Sequence, residues 1–378
     1  MRLLYILERW PELSQTFVAQ EIAALESLGC QVEVACVSSG DGPPSTIRST
    51  SFADLSLTTR LSAASAQIIR APGSAIRQIT SERAWPPPGG RQKTRGLLRL
   101  APFRTAAARA DHIHAHFATE AADIARLLSE STSTPWSFTA HGADAYGDAD
   151  KLRRNLTSAQ FARAASPHVA DRLTAACPEA VVVEIPVAVA VENFARRGPY
   201  NESGPLVSTG RLIEKKGFDD LINAFDTARL GDRELWIIGD GPLRHDLEGQ
   251  AEHLNVRFLG ALGPTAVAQA LWEASAFVLL SKVAANGDRD GRPAAIVEAM
   301  AAGIPVISTS VPGISDLVHP DCGLLVEPAS AVQAAVAIRE LMDLPAGARE
   351  AMGSAGVARS AAFSPPAVAE QLLALFSA

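Results

Sequence analysis

Short apolar runs alternate with longer stretches of helical periodicity along most of the chain, and this alternation predicts α/β layers built on parallel sheets. Residues 3–7 read as a first strand that charge interrupts at Glu8. In 14–28 the apolar residues Phe17, Val18, Ile22 and Leu25 share one face of a helix, and Gly29 stops it. Strands are predicted over 31–37, 111–116, 137–140, 161–166 and 181–184, with helices over 119–129 and 167–176. After residue 205 the rhythm resumes, with strands at 206–209, 234–238, 256–259, 276–280 and 305–309. The helices between them are expected at 218–228, 243–254, 265–273 and 294–302, and three more near 330–342, 347–361 and 365–376 close the chain. Residues 40–110 show no clear period, and the WPPPGG run at 85–90 cannot continue a helix.

A break rich in Pro, Gly and Asn at 185–205 marks a domain boundary. It divides an N-terminal domain, 1–190, from a C-terminal domain, 191–361, and leaves 362–378 as a last helix expected to pack back on the first domain. A length of 378 residues favours two cores over one. Two doubly wound domains imply a cleft lined by the carboxyl ends of their strands.

With 47% hydrophobic and 20% charged residues, the composition is that of a globular chain and excludes disordered and fibrous classes. Cys30, Cys36, Cys177 and Cys322 are far apart and form no C-x-x-C pair, so buried free thiols are expected in place of a disulfide or zinc framework. The opening MRLLYILERW is too short in its apolar part for a secretory signal. Nowhere do about 18 apolar residues run uninterrupted. A cytoplasmic location follows, with a peripheral place on the inner membrane face as its extension.

Charge is unevenly spread. Residues 60–109 hold ten basic side chains, Arg60, Arg70, Arg77, Arg83, Arg91, Lys93, Arg95, Arg99, Arg104 and Arg109, against Glu82 alone. Such a block suits an anionic partner such as a membrane surface or a lipid diphosphate, and equally a solvated Arg-rich helix. With only Trp85 and Phe103 as aromatics and no recognition-helix motif, nucleic acid is not expected as a partner.

Three segments carry chemistry. In VSTGRLIEKKGFDDLINAF, 207–225, a strand ends at Thr209-Gly210, Arg211 and Lys216 stand five apart, and Gly217 precedes a helix. A guanidinium, an ammonium and a helix N-terminus together make a cradle for a diphosphate, unless the segment is an ordinary basic loop. In 288–318, Asp290 and Glu298 lie eight apart across a loop-to-helix transition, and Pro293 suits the helix's first turn. Carboxylates placed there can accept hydrogen bonds from vicinal hydroxyls, although such a pair is often only a charged helix start. In SFTAHGADAYGD, 137–148, His141 follows directly on an apolar strand.

Other patterns lead elsewhere. Asn286, Asp288, Asp290 and Gly291 begin like a calcium loop, but position 297 is Val where the closing Glu belongs. Asp288-Arg289-Asp290 matches a metal-binding D-x-D of a class with a different fold pattern. His112, His114 and His116 alternate along one strand and would share a face; zinc is the minor reading. GDGPL at 239–243 is an incomplete dinucleotide fingerprint.

Together these segments give the chain a resemblance to the retaining glycosyltransferases of family 4, which have the GT-B fold of two Rossmann-like domains. Its carriers are PELSQTFVAQEIAAL at 11–25, HAHF at 114–117, FTAHGADAY at 138–146, STGRLIEKKGFDDLINAF, IIGDGPL, VRFLGAL at 256–262 and the AIVEAMAAGIPVISTSVPGISDLV block. The N-terminal segment is similar to the branch that builds exopolysaccharides of the colanic-acid type. The resemblance implies transfer of a sugar from a nucleoside diphosphate to a glycan, lipid-linked or small-molecule acceptor, with no metal or other cofactor. It implies that Arg211 and Lys216 hold the diphosphate, that Glu298 binds the ribose, and that His141 lies near the donor sugar. Gly291, Arg292, Pro293 and Ala294 match the loop nearest sugar and phosphates, and Gly241 is also implied to line the donor. Ser14, Gln15 and Thr16 match a loop facing the diphosphate or acceptor. Two positions depart from the pattern. Asp290 replaces the first Glu of E-x7-E, shortening its reach by one methylene, and Pro186–Ala190 replaces a polar hinge sequence. An epimerase or phosphorylase of the same fold, or a non-catalytic sugar-nucleotide or lipid-binding module, remains an alternative reading.

Overall fold

Thirteen strands among the described residues assemble into two parallel sheets. The structure is a computed structural model that describes residues 1–12, 15–42, 46–70 and 100–378. The first sheet contains β1 (Arg2–Trp10), β2 (Gln31–Ser39), β3 (Ser49–Ser51), β4 (His112–His116), β5 (Trp136–Ala140), β6 (Phe161–Ala164) and β7 (Val182–Glu184), ordered β3-β2-β1-β4-β5-β6-β7. The second contains β8 (Leu206–Thr209), β9 (Leu235–Ile238), β10 (Val256–Gly260), β11 (Ala276–Leu279), β12 (Val306–Thr309) and β13 (Gly323–Val326), ordered β10-β9-β8-β11-β12-β13. Both orders reverse once, between β1 and β4 in the first sheet and between β8 and β11 in the second. A doubly wound sheet opens its binding crevice at the carboxyl ends of the two strands flanking that reversal.

The chain divides into two compact units, Met1–Ile185 with Ala369–Ala378, and Pro186–Val368. The division falls at 185/186, ahead of the position read from composition. In unit 1 the core runs through Leu4, Ile6, Ile113, Trp136 and Phe138, all nearly fully buried. Unit 2 buries Val207, Phe277, Leu279 and Val306 on one side of its sheet, and Leu206, Ile237 and Val278 on the other. Sheets buried on both faces explain why these strands are continuous apolar runs without alternation. In unit 1 Phe376, near the end of helix Pro365–Phe376, lies against His112 and Phe161, with ring centroids 4.8 and 5.9 Å apart.

Several expectations shift. β1 continues past Glu8 to Trp10, because Arg9 and Trp10 still pair with Ser38 and Ser39 of β2, and the Glu8 carboxylate accepts the Glu120 backbone N–H at 3.0 Å. The legible strands and helices lie within a few residues of their predicted bounds, and Phe218–Ala228 and Pro167–Ala176 coincide with them. β3, helix Leu57–Arg70, helix Ala149–Ser158 and β13 were not anticipated. All four cysteines are buried and free, as expected. No helix among the described residues is long and apolar enough to cross a membrane.

Candidate functional site

In unit 2 the chain leaves β8 through Gly210 and Arg211. Arg211 is exposed, and among the described residues nothing pairs with its guanidinium. A single 3-10 turn, Glu214–Lys216, then leads to Gly217, whose φ of +64° and close approach to the Leu280 carbonyl leave no room for a side chain. The helix Phe218–Ala228 starts there, so its first N–H groups and Lys216 emerge together at the reversal point.

Lys216 is not idle. Its Nζ donates to Oδ2 of Asp290 at 2.8 Å, and the hydroxyl of Ser281, just beyond β11, donates to the same oxygen at 2.7 Å. Lys215 Nζ lies 3.1 Å from the Asp288 carboxylate and 3.8 Å from Asp290 Oδ1. Asp290 is only 7% exposed, so its carboxylate is committed to protein partners and does not stand open in the loop. Lys282 anchors the same region by pairing with Asp219 and Asp220 in the first turn of helix Phe218–Ala228.

Glu298 is different. It is the fifth residue of helix Ala294–Ala301 and partly buried, and its carboxyl has no hydrogen-bond partner among the described residues. Burial pushes that carboxyl up from 4.5 to about 7, while the nearby Lys216 charge pulls in the opposite sense. Pro293 occupies the N-cap with ψ 121° in place of the first helical turn that the sequence suggested, and the exposed Ala294 opens the helix. The difference arises because Pro293 is still extended, and the first turn closes from the Ile296 N–H to its carbonyl at 3.0 Å. Arg292 lies over the Phe363 ring, 5.9 Å from its centroid, and Gly291 precedes it in the loop. Gly241 fits tightly against Leu212, where a Cβ would stand 2.5 Å from the carbonyl oxygen.

Unit 1 builds a second constellation at its own reversal point. His116 ends β4 and pairs in register with Thr139 of β5, which His141 follows by two residues. His116 Nδ1 and His141 Nε2 are 3.1 Å apart. The other His116 nitrogen, Nε2, is 3.1 Å from Oε1 of Glu21, and the Tyr5 hydroxyl donates to that oxygen at 2.9 Å. Arg163 from β6 pairs with Oε2 of Glu21. Burial alone would raise the Glu21 carboxyl, but Arg163, then His116, hold it well below its ordinary range. Glu21, His116 and Arg163 have no exposed side-chain surface. Asp144 fixes the loop by accepting the backbone N–H groups of Ala118, His141 and Gly142 at 2.7–2.9 Å.

His112, His114 and His116 do share one face. Ser137 Oγ lies 2.7 Å from His112 Nε2 and 2.8 Å from His114 Nδ1, while Thr139 Oγ1 lies 2.8 Å from His114 Nε2. Glu21, His114 and His116 are close enough to hold a cation, but the guanidinium already on Glu21 opposes a second positive charge there. Gln15 donates its amide to Glu12 at 3.0 Å, Thr16 is exposed at the start of helix Thr16–Ser27, and Ser14 lies outside the described residues.

The structure therefore gathers Lys216 and Asp290 directly and sets Glu298 within reach of the Lys216 field. Lys215, Ser281, Glu21, His116 and Arg163 were not singled out from sequence as site members. For Glu21 a signal existed: it lies three residues from Val18 on a helix face that is otherwise apolar.

The family models match both units. Residues 191–359 match "Glycosyl transferases group 1", and residues 14–188 match "Glycosyl transferase 4-like domain". The chain joins a group 1 glycosyltransferase domain to a glycosyltransferase 4-like domain. WcaL of Escherichia coli (strain K12), named for colanic acid biosynthesis, is 28% identical to this glycosyltransferase over 355 residues, covering 85% of each chain. TuaC of Bacillus subtilis (strain 168), named for teichuronic acid biosynthesis, is 29% identical over 246 residues, 60% of each chain, so the match spans less than two thirds of that relative's length. Among solved structures, Anabaena HepE in complex with UDP has a TM-score of 0.74 at 18% identity, covering 100% of both chains. That likeness establishes the GT-B fold of two Rossmann-like units for this glycosyltransferase.

Proposed function

We propose that this glycosyltransferase moves a sugar from a nucleoside-diphosphate sugar to an acceptor hydroxyl in exopolysaccharide assembly, with retention and without a metal. One observation carries the reading. At the reversal point of unit 2, an exposed unpaired guanidinium, Arg211, accompanies a partly buried carboxyl with no hydrogen-bond partner, Glu298. A carboxylate taken partly out of water without a protein partner loses hydration, and ligand hydroxyls that donate to it offset that loss. A ribose diol suits Glu298, and a diphosphate suits Arg211 with the helix N-terminus at Phe218. Lys216 would stabilise the leaving diphosphate by turning from Asp290, which then remains held by Ser281 and Lys215. His141 is assigned to the sugar, as its motif implies; Gly241 and the Gly291–Ala294 loop are assigned to the donor, and Gln15 and Thr16, with Ser14, to the diphosphate or acceptor.

Transfer of label from UDP- or GDP-sugars to a polyprenyl-diphosphate glycan is the direct test. Consumption of the donor with formation of a glycoside supports the proposal, and binding without turnover favours a non-catalytic module.

Membrane docking is proposed as a companion feature of the basic block. Arg77 to Arg99 of that block lie outside the described residues. Of the described members, Arg60 spends its guanidinium on the Phe52, Ala53 and Leu55 carbonyls, and Arg104 donates to the Ser131 carbonyl. Any attraction to anionic lipid must come from the remainder, at a cytoplasmic membrane face.

A further inference from the structure

We propose that Glu21 and His116 form a positioning chain that fixes the His141 imidazole in one tautomer, so that it presents Nδ1 as a hydrogen-bond acceptor. The chain runs wholly through unit 1. Its starting point is Glu21, an acceptor-only group once ionised, held by Arg163 on one oxygen and by Tyr5 on the other. The His116 nitrogen 3.1 Å from Glu21 is Nε2, which must therefore donate. Charge balance decides the rest. Glu21 already has a full counter-charge in Arg163, inside a site where all three side chains are shut off from water. A proton on both His116 nitrogens would add a second cation against a single carboxylate, and a buried charge without its own partner is strongly disfavoured.

A neutral His116 that donates from Nε2 has a bare Nδ1. The His141 nitrogen 3.1 Å away is Nε2, so it carries the proton and donates to His116. The His141 ring is neutral, because burial lowers its pKa well below 6.5 and the Arg163 charge lowers it further. With Nε2 protonated, Nδ1 keeps its lone pair, and among the described residues nothing donates to it. Phe17 and Phe117 flank the ring, with centroids 5.0 and 4.5 Å from it, and hinder the flip that would interchange the two nitrogens. Among the described residues, the charged or titratable groups facing the chain are Tyr5 on β1, Glu21 on helix Thr16–Ser27, His114 on β4, Arg163 on β6 and Asp144, which accepts the His141 backbone N–H.

The consequence is chemical selectivity at His141. An acceptor nitrogen takes a hydrogen bond from a hydroxyl, such as one on a donor sugar, and gives none to an anionic oxygen. This consequence rests on the proposed sugar contact of His141, whereas the tautomer itself does not.

The test is long-range 1H–15N correlation spectroscopy on histidine-labelled full-length protein without ligand, which distinguishes protonated from bare ring nitrogens. The expected spectrum has His141 and His116 both protonated at Nε2 and bare at Nδ1. Protonation of His141 at Nδ1, or of both nitrogens on His116, overturns the proposal. Glu21→Gln offers either a carbonyl or an amide to His116, so the single His141 tautomer should give way to a mixture. His116→Phe removes the acceptor and should have the same effect without touching the Glu21–Arg163 pair. A folded His116→Phe variant in which His141 keeps one unchanged tautomer also refutes the chain. The wild-type spectrum decides the assignment even if neither variant folds, and it needs no turnover, so an inactive enzyme leaves the result standing.

Discussion

Replacing the Glu298 proton by a ribose diol should make donor binding release a proton near neutrality. The Glu298 carboxyl sits at about 7 when no ligand is bound, because it is partly buried without a hydrogen-bond partner. Hydroxyls that donate to it favour the ionised form, so its pKa must fall on binding. From a value near 7, about 0.9 of the sites are protonated at pH 6 and about 0.1 at pH 8. If the bound state is fully ionised, the apparent dissociation constant weakens about tenfold from pH 8 to pH 6, or about 1.4 kcal/mol. The phosphates of a nucleoside-diphosphate sugar are diesters that stay ionised throughout this range, so the ligand adds no titration of its own. Calorimetry at pH 6, 7 and 8, in buffers of different ionisation enthalpy, measures the protons released per site. The expected result is close to one at pH 6 and close to none at pH 8, with the linkage abolished by Glu298→Gln. Unchanged proton release in that variant would refute the assignment of Glu298 to the ribose.

Glu298 also bears on stability in the ligand-free protein. A carboxyl raised from 4.5 to about 7 stays protonated in the folded chain where the unfolded chain has lost its proton, so its contribution is full below 4.5 and is lost as pH rises through 7. Allowing for its partial exposure, about 2 kcal/mol should disappear over that window, and the difference in urea midpoint between wild type and Glu298→Gln should vary with pH accordingly. Arg211→Ala should weaken nucleotide affinity by about 2 kcal/mol, roughly 30-fold, with unchanged thermal stability, since no group among the described residues pairs with its guanidinium. Gly241→Ala should destabilise unit 2 by about 1–3 kcal/mol in denaturant titration, because its Cβ would meet the Leu212 backbone at 2.5–2.9 Å; an unshifted midpoint contradicts the close approach. If the basic block docks to lipid, binding to anionic vesicles should decline steeply as salt shortens the screening length from about 10 Å at 0.1 M to about 3 Å at 1 M, and binding that ignores salt argues against it.

The doubly wound architecture was legible because its strands are buried on both faces. Runs such as Leu206–Thr209 and Ala276–Leu279 announce themselves without knowledge of their partners. β3 was hidden for the opposite reason: three residues, Ser49–Ser51, paired only with β2 at the sheet edge carry no apolar signal. β13 is similarly weak in isolation, since Leu325 points outward and is 37% exposed. At the site, local sequence could place Arg211, Lys216 and Glu298 beside strand ends and helix starts. It could not show that Lys216 and Asp290, 74 positions apart, pair directly, because that contact depends on β8 and β11 being neighbours. The same holds for Glu21, which meets His116 across 95 positions and Arg163 across 142. Charged residues in apolar helical faces were the available clue, and partners on other strands supplied the meaning.

The central claim is that the reversal point of unit 2 binds a nucleoside-diphosphate sugar through Arg211, Lys216 and Glu298. A thermal-shift series with UDP-, GDP- and dTDP-sugars on wild type and Arg211→Ala tests it directly. At least one donor should stabilise the wild type, by about 2.7 kcal/mol at a hundredfold excess over its dissociation constant, and the variant should lose most of the effect at the same concentration. No stabilisation by any donor, or equal stabilisation of both proteins, would contradict it.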